Sequence, residues 1–247
     1  VQLSWIAIAL AATTVLTKSA GAVILLAVGA GVLLAGRAVP ARALLVALAL
    51  AAPAYMVFRA RGTWSGGVVV SAASRLTSPD RVASLGFRLQ NEAALVAKAL
   101  QRPALGWGRY GRWLAYDESG RRATPDGFWV IALGQFGMLG LASVTAAMLL
   151  PVLRLARRLR ERPRSQAATA PALVLGLIAC LYLIDSLFNA MINPIYIAVA
   201  GALAALDVEA LQRAPAGRPI RTIQRTEEQV ALPAAAQMAE GGLHAGS

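Results

Sequence analysis

Long apolar runs dominate the sequence and restrict what the chain can fold into. A helix needs about 20 mostly apolar residues to cross a bilayer, because the hydrocarbon layer is about 30 Å thick and each residue advances about 1.5 Å. The runs therefore predict an all-α, polytopic membrane protein with six spans, of which the last is the shortest. They lie at residues 3–17, 20–36, 43–58, 128–153, 169–188 and 194–206.

Composition excludes several other classes of protein. Hydrophobic residues make up 57% of the 247 residues and charged residues only 15%, whereas soluble domains carry about 25% charged residues. The chain therefore lacks the polar residues that a water-soluble surface needs. The single cysteine, Cys180, excludes an internal disulfide, and together with the single histidine it excludes the usual four-ligand zinc site.

Basic residues indicate how the predicted spans are oriented. Short loops rich in Lys and Arg stay on the cytoplasmic side, and the segment from Arg154 to Arg164 carries six arginines and one acid. It predicts a cytoplasmic basic loop at 154–166. Counting spans from this loop gives three transmembrane helices in 1–58, an external loop at 59–126, three transmembrane helices in 127–206 and a cytoplasmic mobile tail at 207–247.

The external segment contains an amphipathic helix, predicted at 81–102. Ser78 is suited to cap its first turn, Pro79 to the first helical position and Asp80 to the positive end of the helix dipole. Pro103 ends it. We expect this helix to lie along the membrane surface with its apolar stripe towards the lipid. The stripe recurs at three- and four-residue steps and consists of Val82, Leu85, Leu89, Ala93, Val96 and Leu100.

Glycine, aromatic and basic residues alternate after this helix, from Pro103 to Trp113. Glycine lets backbone amides approach phosphate oxygens, and Trp107 and Trp113 are predicted to anchor at the membrane interface. From Arg59 to Asp126 the chain has eleven Lys and Arg against five acids. This excess favours an anionic partner in the membrane, either a lipid-linked diphosphate sugar or lipid headgroups. No nucleic acid partner is expected.

Four stretches outside the middles of the predicted spans group polar, aromatic or glycine residues within a short length of chain. Three of them contain glycines: Leu16–Gly21 (LTKSAG), Arg88 with Arg102–Gly111 (RPALGWGRYG) and Pro125–Gly140 (PDGFWVIALGQFGMLG). The fourth, Asp185–Asn189 (DSLFN) with Asn193 and Pro194, has polar side chains and no glycine. In order and spacing the four stretches resemble the C-terminal half of the O-antigen ligase and O-antigen polymerase family of bacterial membrane glycosyltransferases. The likeness covers most of residues 12–206.

The resemblance implies an enzyme of lipopolysaccharide biosynthesis in the bacterial inner membrane. Such an enzyme transfers a glycan from undecaprenyl diphosphate to a lipid or glycan acceptor at the periplasmic face, without a metal or other cofactor. In the family, external arginines bind the diphosphate, and a histidine near the start of the third stretch serves the acceptor hydroxyl. Here Asp126 stands at that position, and the only histidine, His244, lies in the predicted tail.

The resulting hypothesis divides the site into a group of cations and one carboxylate. Arg81 and Arg88 project from the same face of the predicted helix, and with Lys18 and Arg109 they bind the diphosphate. Arg88 and Asp126 are the predicted catalytic residues. Arg88 stabilises the leaving group, and Asp126 orients or deprotonates the sugar hydroxyl that attacks the anomeric carbon.

Three of these residues also have a purely structural interpretation. Arg88 can pair with Glu92 one turn further along the helix, an exposed contact of about 0.3–0.5 kcal/mol. Lys18 can anchor its span at the interface, and Asp126 can serve the turn before Gly127.

Two other functions also fit the sequence. A polymerase that joins glycan repeats shares the same motifs. The other is a non-catalytic membrane protein, such as a lipid-binding scaffold or a transporter fragment. It would carry charges at mid-depth within its spans, whereas Asp185 is the main ionisable residue within the predicted spans.

Overall fold

A computed structural model describes residues 3–36, 38–159, 166–191 and 193–207. All regular secondary structure within these ranges is helical, which confirms the predicted all-α class. The eight helices there are α1 (Leu3–Leu16), α2 (Ala20–Ala35), α3 (Ala41–Ala60), α4 (Gly67–Leu76), α5 (Pro79–Ala99), α6 (Phe128–Arg158), α7 (Gln166–Asp185) and α8 (Pro194–Ala205).

Seven of these helices correspond to predicted ones. The predicted amphipathic helix at 81–102 forms as α5 and begins with Pro79 in its first turn, although the Ser78 side chain makes no capping hydrogen bond. Ser19 and Asn193 do cap α2 and α8 through their side-chain oxygens. Helix α4 was not predicted, because ten residues offer only about three turns of periodicity.

Helix α6 is the centre of the fold and packs against α3, α5, α7 and α8. Ala49 and Ala52 of α3 are completely buried, and such small side chains let helices approach closely. The core that these contacts create includes Leu45 and Met56 of α3, Leu149, Val152 and Leu155 of α6, and Ala172, Ala179 and Cys180 of α7.

The first two helices lie at the edge of this core. Helix α1 packs against α2, and α2 packs against α7, where Gly29 approaches the Leu181 side chain. Large apolar side chains on both helices face outward, including Trp5, Leu10, Ile24 and Leu33, each more than 60% exposed. These outward faces are apolar and have no partner within the described part of the chain.

Helices α3 and α6 are long and apolar enough to cross a membrane, judged by length and composition. The apolar stretches of α1, α2, α7 and α8 are shorter, at 10 to 17 residues. The structure therefore supports two of the six predicted spans in this limited sense, and the other four stay predictions.

The apolar face of α5 packs against protein. Leu89, Leu95 and Val96 are buried where α5 meets α3, α4 and α6, whereas Ala93 and Leu100 of the predicted stripe are exposed. The expectation that this stripe turns towards lipid thus differs from the structure. The buried face is rotated so that it includes a charged residue, Glu92, whose partners lie on α3 and α6.

The predicted basic loop and tail lie largely outside the described residues. Arg154, Arg157 and Arg158, which open the predicted loop at 154–166, belong to the last turns of α6. Residues 160–165 and 208–247, which include His244, are not among those described.

Candidate functional site

Four segments of the chain converge at one end of the bundle. Tyr55 of α3 donates a hydrogen bond to the Glu92 carboxylate of α5, with O–O distances of 2.9 and 3.0 Å. The Trp129 indole at the start of α6 donates to the same carboxylate at 3.3 Å. The ring of Phe188, just after α7, contacts Tyr55 at 5.3 Å between centroids. Glu92 therefore joins three of these segments, and Tyr55 joins the fourth.

Glu92 also forms an ion pair with Arg59 of α3, and both side chains are at most 8% exposed. The Arg59 guanidinium donates to the carbonyl oxygens of Leu89 at 2.8 Å and Trp64 at 3.0 Å. Burying two charges carries a desolvation cost that only complete pairing and hydrogen bonding offset. Every buried side-chain polar atom in the described residues has such a partner. Neither residue was among the predicted site residues.

The Arg59–Glu92 pair decides the environment of Arg88. Glu92 was the alternative partner of Arg88 in the sequence, but its carboxylate turns inward to Arg59 instead. Arg88 is exposed, and no carboxylate of the described residues lies within 4.0 Å of it. Arg81 is likewise exposed, two turns or about 10 Å earlier along the helix. The two arginines therefore form an unneutralised cationic edge on α5.

The segment that carries Asp126 lies against α5 close to this edge. Asn91, three residues after Arg88, accepts a hydrogen bond from the Thr124 amide at 3.1 Å. The Phe128 amide donates to Ser186 at 2.8 Å, which holds the start of α6 against the end of α7. Asp126 is half-buried between these two anchors. Within the described residues, its carboxylate makes no hydrogen bond or ion pair.

Lys18 lies apart from α5. It is exposed in the turn between α1 and α2, where its φ of 55° is left-handed. Because α1 packs on α2 and α2 on α7, neither helix beside Lys18 packs extensively against α5.

Arg109 also belongs to a different surface. It is exposed in the loop after α5, near Trp107, whose ring lies under Lys98 at 3.8 Å and Arg102 at 4.3 Å. Lys98 is ten residues, or about 15 Å, further along α5 than Arg88. Of the predicted site residues, the structure therefore places the segment that carries Asp126 against α5 one turn from Arg88, with Arg81 two turns earlier on the same helix. Lys18 and Arg109 lie on other segments.

The glycine-rich loop docks into a break in α6. The helix is interrupted at Gly137, whose φ and ψ are 65° and −165°. Loop amides of Trp107 and Gly108 donate to the Gly134 and Gln135 carbonyls at 2.8 and 2.9 Å, and the Met138 amide donates to Pro103 at 2.6 Å. Two of the stretches that carry the family resemblance thus hydrogen-bond to each other.

The position of Trp113 differs from the prediction. It was predicted to anchor at the membrane interface, but it is 7% exposed and packs against the backbone of Gly134. The close approach is possible because Gly134 has no side chain. Trp107 is half-buried, and its indole donates to the Lys98 carbonyl at 2.8 Å.

Other polar residues near the site stabilise turns. Asn189 donates to the Asp185 carboxylate at 3.2 Å and accepts from the Met191 amide at 3.0 Å. In the external segment, hydrogen bonds from Ser119, and then from the backbone and side chain of Arg121, lower the pKa of the exposed Asp117 to about 2.

A cavity of about 600 Å³ opens beside the C-terminal end of α3 and was not predicted from the sequence. Tyr55, which bonds to Glu92, forms part of its wall. None of Lys18, Arg81, Arg88, Arg109 and Asp126 lines it.

The described residues contain no group of three or more His, Cys, Asp or Glu placed to hold a metal ion. Comparison of the chain with models of protein families, with curated proteins and with solved structures found no match.

Proposed function

We propose that this chain is a multi-pass glycosyltransferase of the O-antigen ligase type. It transfers a glycan from undecaprenyl diphosphate to a lipid or glycan acceptor at the periplasmic face of the bacterial inner membrane. One observation carries the proposal: Arg88 stays exposed and unneutralised beside the Asp126 segment, because Arg59 pairs with Glu92, the acid one turn from Arg88 on α5.

The exposed apolar surface supports the membrane placement. Only 22% of the apolar window of α3 and 28% of that of α6 is buried within the chain itself. The core helix of a soluble protein would be mostly buried, and the outward faces of α1 and α2 add further exposed apolar side chains. Lipid is the environment that such surface requires, since large exposed apolar patches are rare on soluble monomers.

The reaction that this arrangement suits is a displacement at the anomeric carbon. The acceptor hydroxyl oxygen forms the new bond to that carbon, and the bond from the carbon to the diphosphate oxygen breaks with its electron pair. Arg88, assisted by Arg81, stabilises the negative charge on the departing diphosphate. Asp126 receives the hydroxyl proton.

Arg59 and Glu92 have a positioning role in this proposal. Their pair ties α5 to α3 and orients α5 so that Arg88 faces outward. Without it, Glu92 would be available to neutralise Arg88.

The topology can be tested with one cysteine on each side of the membrane. Tyr110 is 95% exposed in the external loop, so Tyr110→Cys in the full chain should react with an impermeant maleimide added to intact spheroplasts. Arg42→Cys, at the other end of α3, should react only after permeabilisation. The native Cys180 is buried and provides a low background. Labelling in the opposite pattern would invert the topology and contradict a periplasmic site.

The transfer activity can be tested in proteoliposomes that contain the full chain and a radiolabelled undecaprenyl-diphosphate glycan. Arg88→Ala should lower the transfer rate by about 100- to 1,000-fold, the usual effect of removing a group that stabilises transition-state charge. Arg88→Lys should retain part of the rate, because it keeps the charge but loses the planar fork. Asp126→Asn should lower the rate by about 100-fold or more.

Arg75→Ala is the matched control, since Arg75 is an exposed arginine of α4 with no assigned role. Its rate should equal that of the unaltered chain. Equal rates for Arg88→Ala and Arg75→Ala would remove Arg88 from the site, and transfer to water alone would argue against a glycosyltransferase. A product ladder of repeat units would identify a polymerase, and a single added glycan would identify a ligase.

A further inference from the structure

The cavity beside α3 has the size of a ligand site and lies outside the predicted diphosphate site. Its volume of about 600 Å³ falls within the range of pockets that hold small organic ligands. One side of α3 and the segment that follows it form the wall. The lining residues are Ala51, Ala54, Tyr55, Phe58, Arg61, Thr63 and Trp64.

The lining divides into an apolar part and a polar end. Ala51, Ala54 and Phe58 follow one another at helical spacing and form an apolar strip along α3. Arg61 is the only charged residue in the lining; it is exposed, and no carboxylate of the described residues lies within 4.0 Å. The Trp64 indole N–H also makes no hydrogen bond within that part of the chain. Two donors therefore stand at the end of an apolar strip.

The C-terminal end of a helix normally disfavours an anion, because its last carbonyl oxygens carry partial negative charge. At α3 these oxygens are largely satisfied. The Arg61 and Gly62 amides donate to Val57 and Arg59 at 3.0 and 3.1 Å, and the Thr63 hydroxyl donates to Phe58 at 3.1 Å. The positive charge of Arg61 thus dominates the polar end.

We propose that this cavity binds one anionic phospholipid of the surrounding bilayer. The headgroup phosphate bonds to Arg61 and the Trp64 indole, and an acyl chain follows Ala51, Ala54 and Phe58. A cation and an aromatic ring at the end of an apolar helix mark the depth of lipid headgroups. The inference takes only the membrane placement of α3 from the proposed function and does not require glycosyl transfer.

Charge favours a phospholipid over the diphosphate carrier at this position. A phosphodiester carries one negative charge, which the single Arg61 balances. A diphosphate carries more charge and is better matched by the pair Arg81 and Arg88 on α5. The two ligands are therefore assigned to different surfaces.

Tyr55 connects the lipid cavity to the interior of the protein. Its ring lines the cavity and contacts Trp64 at 5.5 Å, while its hydroxyl bonds to Glu92. A bound lipid should therefore stabilise the folded chain, and phosphatidylglycerol should raise the melting temperature of the full chain in detergent.

The test measures lipid retention by native mass spectrometry of the full chain, delipidated in detergent and titrated with phosphatidylglycerol. The unaltered chain should bind one phosphatidylglycerol molecule more tightly than the lipids that adhere elsewhere to its surface. Phosphatidylcholine, which has no net charge, should bind about five-fold more weakly. Arg61→Ala should weaken phosphatidylglycerol binding by about 10- to 100-fold, the usual effect of losing a charge-assisted hydrogen bond.

Two further variants keep the test decisive. Ala54→Phe fills the apolar strip without touching the polar end, and it should also abolish the tight lipid. Arg75→Ala and Arg88→Ala should retain it, because neither residue lines the cavity. The melting temperatures of all variants without added lipid check that each is folded.

Three results would overturn the proposal. The first is equal binding by Arg61→Ala and Arg75→Ala, and the second is equal binding of the two phospholipids. The third is displacement of phosphatidylglycerol by equimolar undecaprenyl diphosphate, which would assign the cavity to the carrier. None of these readouts involves glycosyl transfer, so the lipid site and the proposed activity can fail independently.

Discussion

Glu92→Ala is expected to lower the free energy of unfolding by about 3–5 kcal/mol, the usual cost of leaving one partner of a buried ion pair uncompensated. The variant would leave the Arg59 guanidinium buried with only two carbonyl partners and would remove the acceptor of Tyr55 and Trp129. Equilibrium unfolding in mixed detergent micelles, followed by far-ultraviolet circular dichroism, measures the difference.

Glu118→Ala is the matched control, because Glu118 is an exposed glutamate of the external segment. Its effect should stay within about 0.5 kcal/mol. The double variant Arg59→Met with Glu92→Leu should be less destabilised than Glu92→Ala, since it removes both charges and keeps similar volumes. A loss below about 1 kcal/mol for Glu92→Ala would show that α5 does not depend on the pair.

Gly137→Ala is expected to lower the free energy of unfolding by about 3–5 kcal/mol, as much as Glu92→Ala. Its φ of 65° and ψ of −165° lie in a region that is essentially restricted to glycine, with a cost of about 1–3 kcal/mol for other residues. An added Cβ would also lie 2.6 Å from the Gly106 nitrogen and would clash with the Ala104 carbonyl. The loop would have to move, and its hydrogen bonds to the broken helix contribute about 0.5–1.5 kcal/mol each.

Gly120→Ala separates strain from clash in this experiment. Gly120 has a similar φ of 77°, but an added Cβ would meet nothing within 4 Å. Gly120→Ala should therefore lower the free energy of unfolding only by the cost of the left-handed backbone conformation, about 1–2 kcal/mol. Gly106→Ala should act on the same loop contact as Gly137→Ala, so the double variant should lose less than the sum. Equal losses for Gly137→Ala and Gly120→Ala would show that loop docking adds no stability.

Glu92→Ala and Gly137→Ala both test contacts through which distant segments support the proposed site. The Arg59–Glu92 pair sets the rotation of α5, and the loop at 103–108 closes the break in α6. Damage to either should therefore lower transfer activity as well as stability, even though none of these residues contacts the proposed substrates.

Several parts of the fold could be predicted because they are local. Apolar runs and the 78–80 start signal placed seven helices, since helix periodicity and capping act within a few residues. The same helical pattern placed Arg81 and Arg88 on one helix, two turns apart, and both lie on α5 in the structure. The six-span topology and the glycosyltransferase activity remain predictions.

Other parts depended on contacts between distant residues. The sequence offered Glu92 as a partner for Arg88 one turn away, but the partner that α3 supplies is 33 residues distant. No local sequence feature shows whether Glu92 pairs with Arg88 or with Arg59, because the pairing depends on which face of α5 is buried. The α6 break has the same origin, since an unpaired Gly134 carbonyl is tolerable only when loop amides reach it.

The sequence by itself determined that the chain is helical, apolar and basic on one segment, because hydrophobicity, periodicity and charge are properties of neighbouring residues. Only the tertiary structure decided that Arg59 pairs with Glu92, that Arg88 stays unneutralised on the helix that holds the Asp126 segment, and that a cavity with Arg61 opens beside α3. Those outcomes follow from how whole helices rotate and dock, and burial energy summed over many distant contacts sets that arrangement.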